Sequence, residues 1–506
     1  VRPSRIDLPA LRREDGVIER FRHLLRHSVF YSIPGLAQRL VGFLLIPLYT
    51  RFLTPADYGV LALAGLLQTA LSQLQLLGLP SAMTRSYILL GEGEVDRRDT
   101  VATGSWTLLV VSIILGGALA FSARPLAVLV FGDPEKARFV YLVAIGAPFA
   151  AIESVRFTLF RILEASKAFA LVGLAALLLG IGLAVLLVVV MRWGAFGMIL
   201  ATVATTATIA LVFFPWFVRA LKARFRTVVL RDMLEFGLPL VPAGFAVWAF
   251  DLIDRYFLRL YRSMDEVGLY SLGYRFGMVL ALITMAFRTA WPQVVFTQGR
   301  GDEATAKRFF AHTLTYYFVV TGFVALGISS LADDALRLLT PPAFHPAAGV
   351  VPFIALSYTL QGSFIILEVG IDLKKRTGFI PLFTGLAAAL NLGLNLLLIP
   401  RYGMYGAAWA TLVACLVVPT SYFFVNQKLY PIRWQWGRIA MALLAAGALF
   451  AVGKTIDTGH LYLDAALRAA LVLVYPGVLW VLPFPLPEER ARVRGWIRRL
   501  RGRGGT

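Results

Sequence analysis

Cysteine is nearly absent: the 506 residues hold one, Cys415, inside an apolar run. That excludes an intrachain disulfide framework and any metal centre built from paired cysteines. Histidine is scarce too, with five residues. His23 and His27 are spaced i, i+4, but no third ligand stands near them, so no metal is expected. His312, at the start of an apolar span, reads better as an interface residue. Charge is thin. Asp, Glu, Lys and Arg make up 15% of the chain, against about 25% in soluble domains. Enzyme signatures are missing: there is no HExxH, no Gly-x-Ser-x-Gly and no Walker loop, so ATP-driven chemistry in this chain is not expected.

What is present is apolar residue, 58% of the chain, in recurring runs of about 20 residues, each long enough to cross the hydrocarbon as a helix. A spanning segment must satisfy its own backbone, and strand alternation is absent. The expected fold is therefore an all-α integral membrane protein. About 14 transmembrane helices are read on length, from 28–50 through 236–260, 266–290, 378–399 and 404–426 to 463–482. The spans 28–50, 236–260 and 266–290 carry charges. No short apolar stretch with a small-residue cleavage site opens the chain, so no cleaved signal peptide is expected.

Lys and Arg outnumber Asp and Glu by 49 to 29. They gather in alternate loops and at both ends, which predicts the cytoplasmic membrane with both termini in the cytoplasm. Topology thus accounts for a net charge of +20 without nucleic acid. The segment Ile18–Arg26 and the tail Arg490–Arg503 read as interfacial stretches on anionic headgroups.

The chain also repeats itself. Arg192-Trp-Gly-Ala-Phe-Gly-Met-Ile-Leu-Ala-Thr202 returns 209 residues later as Arg401-Tyr-Gly-Met-Tyr-Gly-Ala-Ala-Trp-Ala-Thr411. The same offset pairs Gly59 of Asp57-Tyr-Gly-Val with Gly268 of Glu266-Val-Gly-Leu. Two six-helix bundles in a parallel repeat follow, plus a C-terminal helix pair, as in transporters whose site lies between the halves. The organisation is a basic N-terminal segment 1–27, a bundle 28–218, a basic cytoplasmic linker 219–235, a bundle 236–427, the terminal pair 437–482 and a basic tail 483–506. Glycines in the repeated turn serve a tight reversal and close packing. Pro34 and Pro239/Pro242 sit in the first helix of each half, where they either bend it or only shape its packing.

The stretch Leu44-Leu-Ile-Pro-Leu-Tyr-Thr-Arg-Phe-Leu-Thr-Pro-Ala-Asp-Tyr-Gly-Val-Leu-Ala-Leu63 resembles the polysaccharide-transporter branch of the multidrug/oligosaccharidyl-lipid/polysaccharide (MOP) exporter superfamily, the Wzx-type flippases. The resemblance spans nearly the whole chain, through the six-plus-six repeat and the final helix pair. It implies a V-shaped pair of bundles with alternating access. It also implies passage of a polar glycan head through a central cavity while the lipid tail stays in the bilayer.

Charges inside the spans are the candidate site, because each must face a partner, a cavity or water. Arg39 lies mid-span, Arg275 near the midplane and Arg288 further toward the cytoplasm. With Arg156 they are the candidate substrate-binding residues. Arginine binds phosphate through a bidentate fork and stays charged, which suits a diphosphate-linked sugar. Asp251, Asp254 and Arg255 fall at i, i+3 and i+4 on one helical face. They read either as an internal ion pair or as a site where a carboxylate binds H⁺ or Na⁺ and couples transport to an ion gradient. Glu153 and Arg156, at i, i+3, most simply neutralise each other. Arg85, Glu368 and Asp372 lie near cytoplasmic span ends and read as snorkelling. Asn391, Asn395, Gln68, Gln73 and Gln75 bond either a sugar or neighbouring helices. Trp248 and Trp291 stack on sugar or pack.

The leading expectation is a flippase, not an enzyme, for a polyprenyl-diphosphate-linked oligosaccharide in surface polysaccharide assembly. It would have no cofactor beyond H⁺ or Na⁺ and would act as a monomer. Its partners would be the lipid-linked oligosaccharide, membrane lipids, and the glycosyltransferases and polymerase of the same pathway. The alternatives, in order, are a peptidoglycan-precursor flippase, a multidrug antiporter, and a membrane glycan polymerase or ligase. The excess of span Arg over acid disfavours the antiporter, and the small outer loops disfavour the polymerase. The 209-residue offset maps Arg39 to Trp248 and Arg275 to Leu66, so the halves differ where the charges lie.

Overall fold

The computed structural model describes residues 17–89, 97–299, 301–376 and 378–491. Among them every regular element is helical, and the chain is an all-α multi-pass membrane protein. Ten helices among the described residues are long and apolar enough to cross a membrane. The chain forms two compact units, Val1–Gly268 and Leu269–Thr506.

The first unit begins with α1 (Val17–Leu44) and the short α2 (Ile46–Tyr49). The stretch Ile18–Arg26 is thus helical and continuous with the first expected span. Most of the expected interfacial tail, from 492 on, lies outside the described residues. Next comes α3 (Pro55–Leu76), and its start explains the sequence there. Thr54 is the N-cap: its Oγ1 accepts from the Asp57 N–H at 3.1 Å, and Asp57 Oδ2 accepts from the Thr54 N–H at 3.0 Å. This reciprocal capping box satisfies two orphan donors, and Pro55 at the first helical position loses nothing. Asp57 Oδ1 also accepts from the Ala195 N–H at 3.3 Å, tying the start of α3 to that of a later helix. Left-handed Leu77 and Gly78 then break the path before α4 (Leu79–Leu89).

The unit continues with α5 (Arg97–Phe121), α6 (Ala123–Phe131), α7 (Ala137–Ile162), α8 (Ser166–Ala184) and α9 (Gly194–Leu221). Its core joins Met83, Leu108, Ile152 and Phe217. The expected linker is partly helical, as α10 (Thr227–Gly237), which buries Val229 and Met233. Asp99 Oδ2 accepts from Arg226 Nε at 2.7 Å. Arg85, expected to snorkel, instead bridges Asp232 at 3.0 Å, and Ser86 Oγ donates to the same carboxylate at 2.7 Å. Burial pushes the Asp232 pKa up, but the Ser86 and Arg85 bonds outweigh it and hold the group below the usual carboxylate range. The stability it contributes is present above the unfolded-state pKa and is lost as pH falls through the lowered native value. Asp232→Asn should therefore flatten the acid limb of a melting-temperature profile in detergent; an unchanged limb would sink the assignment.

Next is α11 (Leu240–Tyr261), packed on α3 and α6. The second copy of the cap follows: the Glu266 N–H donates to Ser263 Oγ at 3.2 Å, and Ser263 stands 209 positions after Thr54. The expected span 266–290 is not one helix. α12 (Met264–Gly277) and α13 (Leu280–Gln298) are separate, with Met278 and Val279 between them.

The second unit continues with α14 (Glu303–Leu339), α15 (Val351–Leu367), α16 (Val369–Leu373) and α17 (Phe379–Leu429). The last of these holds both expected spans 378–399 and 404–426, joined across Gly403 at φ 55°. Its repeat mate Gly194 has φ 56°, so both copies of the turn use a left-handed residue that glycine adopts without strain. An aromatic core surrounds Trp291, Phe310, Phe383 and Tyr422. The terminal pair α18 (Trp436–Lys454) and α19 (Leu461–Val481) is fastened to α14 by an Arg468–Asp334 ion pair.

Candidate functional site

Within the first unit, α1, α7, α8 and α9 enclose a cavity of ≈ 580 Å³. Small residues make the room: Gly35, Gly42, Gly173 and Gly180 line it beside Pro34. Its polar wall is Tyr31, Gln38, Tyr49, Glu153, Thr202, Thr205 and Thr206. The three threonine hydroxyls donate to carbonyls four residues back, at 2.7–3.1 Å, which turns their oxygens into acceptors. Of these wall residues only Glu153 was anticipated from sequence. The available signal was Thr202-x-x-Thr205-Thr206, one helical face of an otherwise apolar span.

Glu153 and Arg156 are brought together. Arg156 Nη2 donates to Glu153 Oε1 at 2.9 Å. The Glu153 side chain keeps 22% of its surface exposed and Arg156 only 1%. The guanidinium lies over Phe157 at 4.5 Å and over Phe160 and Phe213 at 5.4 Å each, a cation held by ring faces. Its Nε and Nη1 have no hydrogen-bond partner among the described residues. Arg39, next to Gln38 on α1, is exposed and does not line this cavity. Among the described residues no carboxylate pairs with it.

On α11, Asp254 and Arg255 are buried. Asp254 Oδ1 accepts from the Arg255 N–H at 2.8 Å and from its Nη1 at 3.3 Å. The side chain of Asp251 lies outside the described residues. Trp248 packs, donating through Nε1 to the Leu66 carbonyl at 3.2 Å. Gln75 donates to the Ala147 carbonyl at 2.9 Å, bonding helix to helix.

In the second unit, Arg275 on α12 and Arg288 on α13 are both exposed. Arg288 is within electrostatic reach of Glu368 and Tyr422. Asn391 and Asn395 are buried on α17 and bond each other at 3.0 Å, while Asn391 Nδ2 and Asn395 Oδ1 have no partner among the described residues. Trp291 is buried against Phe287, with ring centroids 4.9 Å apart. No group of three His, Cys, Asp or Glu side chains suited to a metal occurs among the described residues. His23 and His27 side chains lie outside them.

Known proteins share this architecture. The inward closed lipid II flippase MurJ superposes with a TM-score of 0.69 at 12% identity, covering 89% of this chain and 99% of that one. An inward-facing multidrug resistance MATE family transporter of the MOP superfamily gives 0.59 at 16% identity, covering 82% of this chain and 98% of its own. At such identities the likeness shows the fold alone. In sequence, the chain is 22% identical over 236 residues to the probable low-salt glycan biosynthesis flippase Agl15 of Haloferax volcanii. That match spans 46% of this chain and 50% of the relative, so the chain covers about half the relative's length. The model of the family described as polysaccharide biosynthesis protein matches residues 48–349, more than half the chain, and takes in the capping box, Gly59 and the Arg192 turn. The chain belongs to that polysaccharide biosynthesis family, on the fold of the MOP transporters.

Proposed function

We propose that the protein flips a polyprenyl-diphosphate-linked oligosaccharide across the cytoplasmic membrane by alternating access, for surface polysaccharide assembly. Both termini face the cytoplasm, and bundles 28–218 and 236–427 are the moving parts. The observation that carries this reading is the exposure of Arg39, Arg275 and Arg288 within the expected spans 28–50 and 266–290; α1, α12 and α13, which hold them, are not among the ten helices that length and hydropathy mark as membrane-crossing. An arginine exposed mid-span faces either hydrocarbon or water. Hydrocarbon costs several kcal/mol per charge, so water is favoured. A water path lined by arginine selects anions, and a diphosphate is the anionic part of a lipid-linked glycan. The glycan-flippase relative supports the same substrate class. The carboxylate of Glu153, on the wall of the first unit's cavity, and the buried Asp254 are the groups proposed to bind H⁺ or Na⁺.

The test is translocation in proteoliposomes. A fluorescent polyprenyl-diphosphate disaccharide is the substrate, and its arrival is read by an added glycosidase. Arg39→Ala and Arg275→Ala are each expected to slow transport about tenfold or more, the value of one lost charge-assisted contact of 1.5–3 kcal/mol. Their membrane levels should match wild type. Unchanged transport in both variants would remove the anion path. Joining of glycan units without translocation, or transport of only the peptide-bearing cell-wall precursor, would overturn the substrate assignment.

A further inference from the structure

Where α14 begins and α17 gives way to α18, the second unit carries a cleft of ≈ 530 Å³. Lys307, Arg308 and Arg433 line it, and no carboxylate does. Lys307 is already engaged: it bridges Glu303 at 2.7 Å and lies 4.6 Å over the Tyr430 ring. Arg308 and Arg433 are exposed and have no carboxylate within ion-pair distance among the described residues.

The frame around these two cations is braced. His312 Nδ1 sits 2.7 Å from the Arg308 carbonyl and donates to it. Gln435 Oε1 accepts from Arg438 Nη1 at 2.7 Å and from Thr315 Oγ1 at 3.0 Å. Its amide nitrogen therefore faces His312 Nε2, at 3.3 Å. The loop that presents Arg433 is clamped by Gln427, which donates to the Ile432 carbonyl at 2.6 Å and accepts from the Ile432 N–H at 3.1 Å. Two exposed guanidinium groups thus stand on an ordered frame, Arg308 within electrostatic reach of Asp302, at the end of the unit where the α14 and α18 spans begin.

Arg308 and His312 also line a second cavity, of ≈ 720 Å³. Much of its wall is apolar: Ile283, Phe287, Phe309 and Val320, closed by Leu486. Its two carboxylates do not oppose the cleft's charge equally. Glu489 is paired with Arg438 at 2.7 Å, and Glu488 is exposed. The two cavities share Arg308 and His312 in their walls, so a cationic compartment adjoins a largely apolar one beside α13 and α14. That is the shape of an amphiphile with a phosphate at one end and hydrocarbon at the other. Basic pockets between helices at the cytoplasmic membrane surface are suited to anionic headgroups.

We propose that these adjoining cavities form a binding site for an anionic phospholipid of the surrounding membrane. Its phosphate lies on Arg308 and Arg433, and an acyl chain lies along the α13–α14 channel. The inference does not rest on the transport reading: Arg39 and Arg275 take no part in it.

The experiment is native mass spectrometry of the full chain in detergent, titrated with phosphatidylglycerol or with phosphatidylcholine of the same chains. Wild type should retain phosphatidylglycerol preferentially. The double variant Arg308→Gln/Arg433→Gln should lose roughly 30-fold in affinity for it, with two surface cations removed. Arg308→Lys, which keeps the charge and reports even if the double variant misfolds, should retain most of the binding. Arg337→Gln, near the other end of α14, should change nothing. Equal retention of phosphatidylglycerol by wild type and the double variant would overturn the proposal. So would its displacement by stoichiometric polyprenyl diphosphate, which would assign the site to the transported lipid.

Discussion

Replacing Gly268 with valine is expected to leave almost no monodisperse protein. Gly268, in the second turn of α12, is pressed against the start of α3. A Cβ there would overlap the Pro55 carbonyl oxygen and stand 3.0 Å from the Gly59 nitrogen. Gly59 is equally confined, since its own Cβ would overlap the Met264 carbonyl oxygen and stand 2.9 Å from Met264 Cγ. The two glycines that the 209-residue offset pairs in sequence thus pack beside each other in space. Backbone carbonyls, unlike side-chain tips, cannot swing aside. Overpacking a well-filled site costs about 1–3 kcal/mol per position and more when the backbone must shift. Part of the Thr54–Asp57 capping box, about 1 kcal/mol, would move with it. Gly59→Val should behave alike. Gly437→Ala is the contrast, because a Cβ at Gly437 meets nothing within 4 Å and alanine is the better helix former. The readout is the size-exclusion profile and melting temperature of membrane-extracted protein. A wild-type profile for Gly268→Val would refute the close approach.

That contact shows what was legible in the chain and what was not. The repeat could be read because its residues do local work. Thr54 and Ser263 accept from the N–H three residues on, Asp57 closes the first cap, and Gly194 and Gly403 adopt positive φ. Each role needs one residue type at one position, so both copies kept it. Most apolar spans were equally legible, since length and hydropathy are local, whereas the expected spans 28–50, 236–260 and 266–290 are not among the ten helices apolar enough to cross a membrane. The break at Met278–Val279 was not. Neither residue forces a helix to end, and the interruption depends on packing. The Arg85–Asp232 pair was missed for a related reason: 147 positions separate the partners, and only the fold of α10 onto α4 unites them. The cavity wall was missed because threonine and glutamine in a span bond the backbone or a neighbouring helix as readily as they line a cavity. The Glu153–Arg156 spacing was visible at i, i+3, as were Phe157 and Phe160 beside it, whereas Phe213 comes from another helix.

The Glu153–Arg156 pair carries the second large effect. Glu153→Ala should destabilise the protein more than removal of both partners. Arg156 is 1% exposed and cannot deprotonate, so without Glu153 its charge is left with three aromatic faces and no counter-ion. Stranding one member of a buried pair costs about 3–5 kcal/mol, whereas replacing both with well-packed residues of similar volume is often neutral or stabilising. In Glu153→Gln/Arg156→Met, methionine enters the ring pocket of Phe157, Phe160 and Phe213, where sulfur–aromatic contact is favourable. The expected order of melting temperatures is therefore wild type close to the double variant, with Glu153→Ala well below both. A Glu153→Ala protein as stable as wild type would sink the counter-ion role. The double variant then separates stability from transport, which no single substitution here does. Because Glu153 keeps part of its surface on the cavity, its carboxylate can serve both Arg156 and a transported cation. If it couples H⁺ or Na⁺, the double variant folds and yet transports at a rate indifferent to the imposed gradient. Gradient dependence retained in a well-folded double variant would limit Glu153 to balancing Arg156 and move the proposed coupling to Asp251 or Asp254.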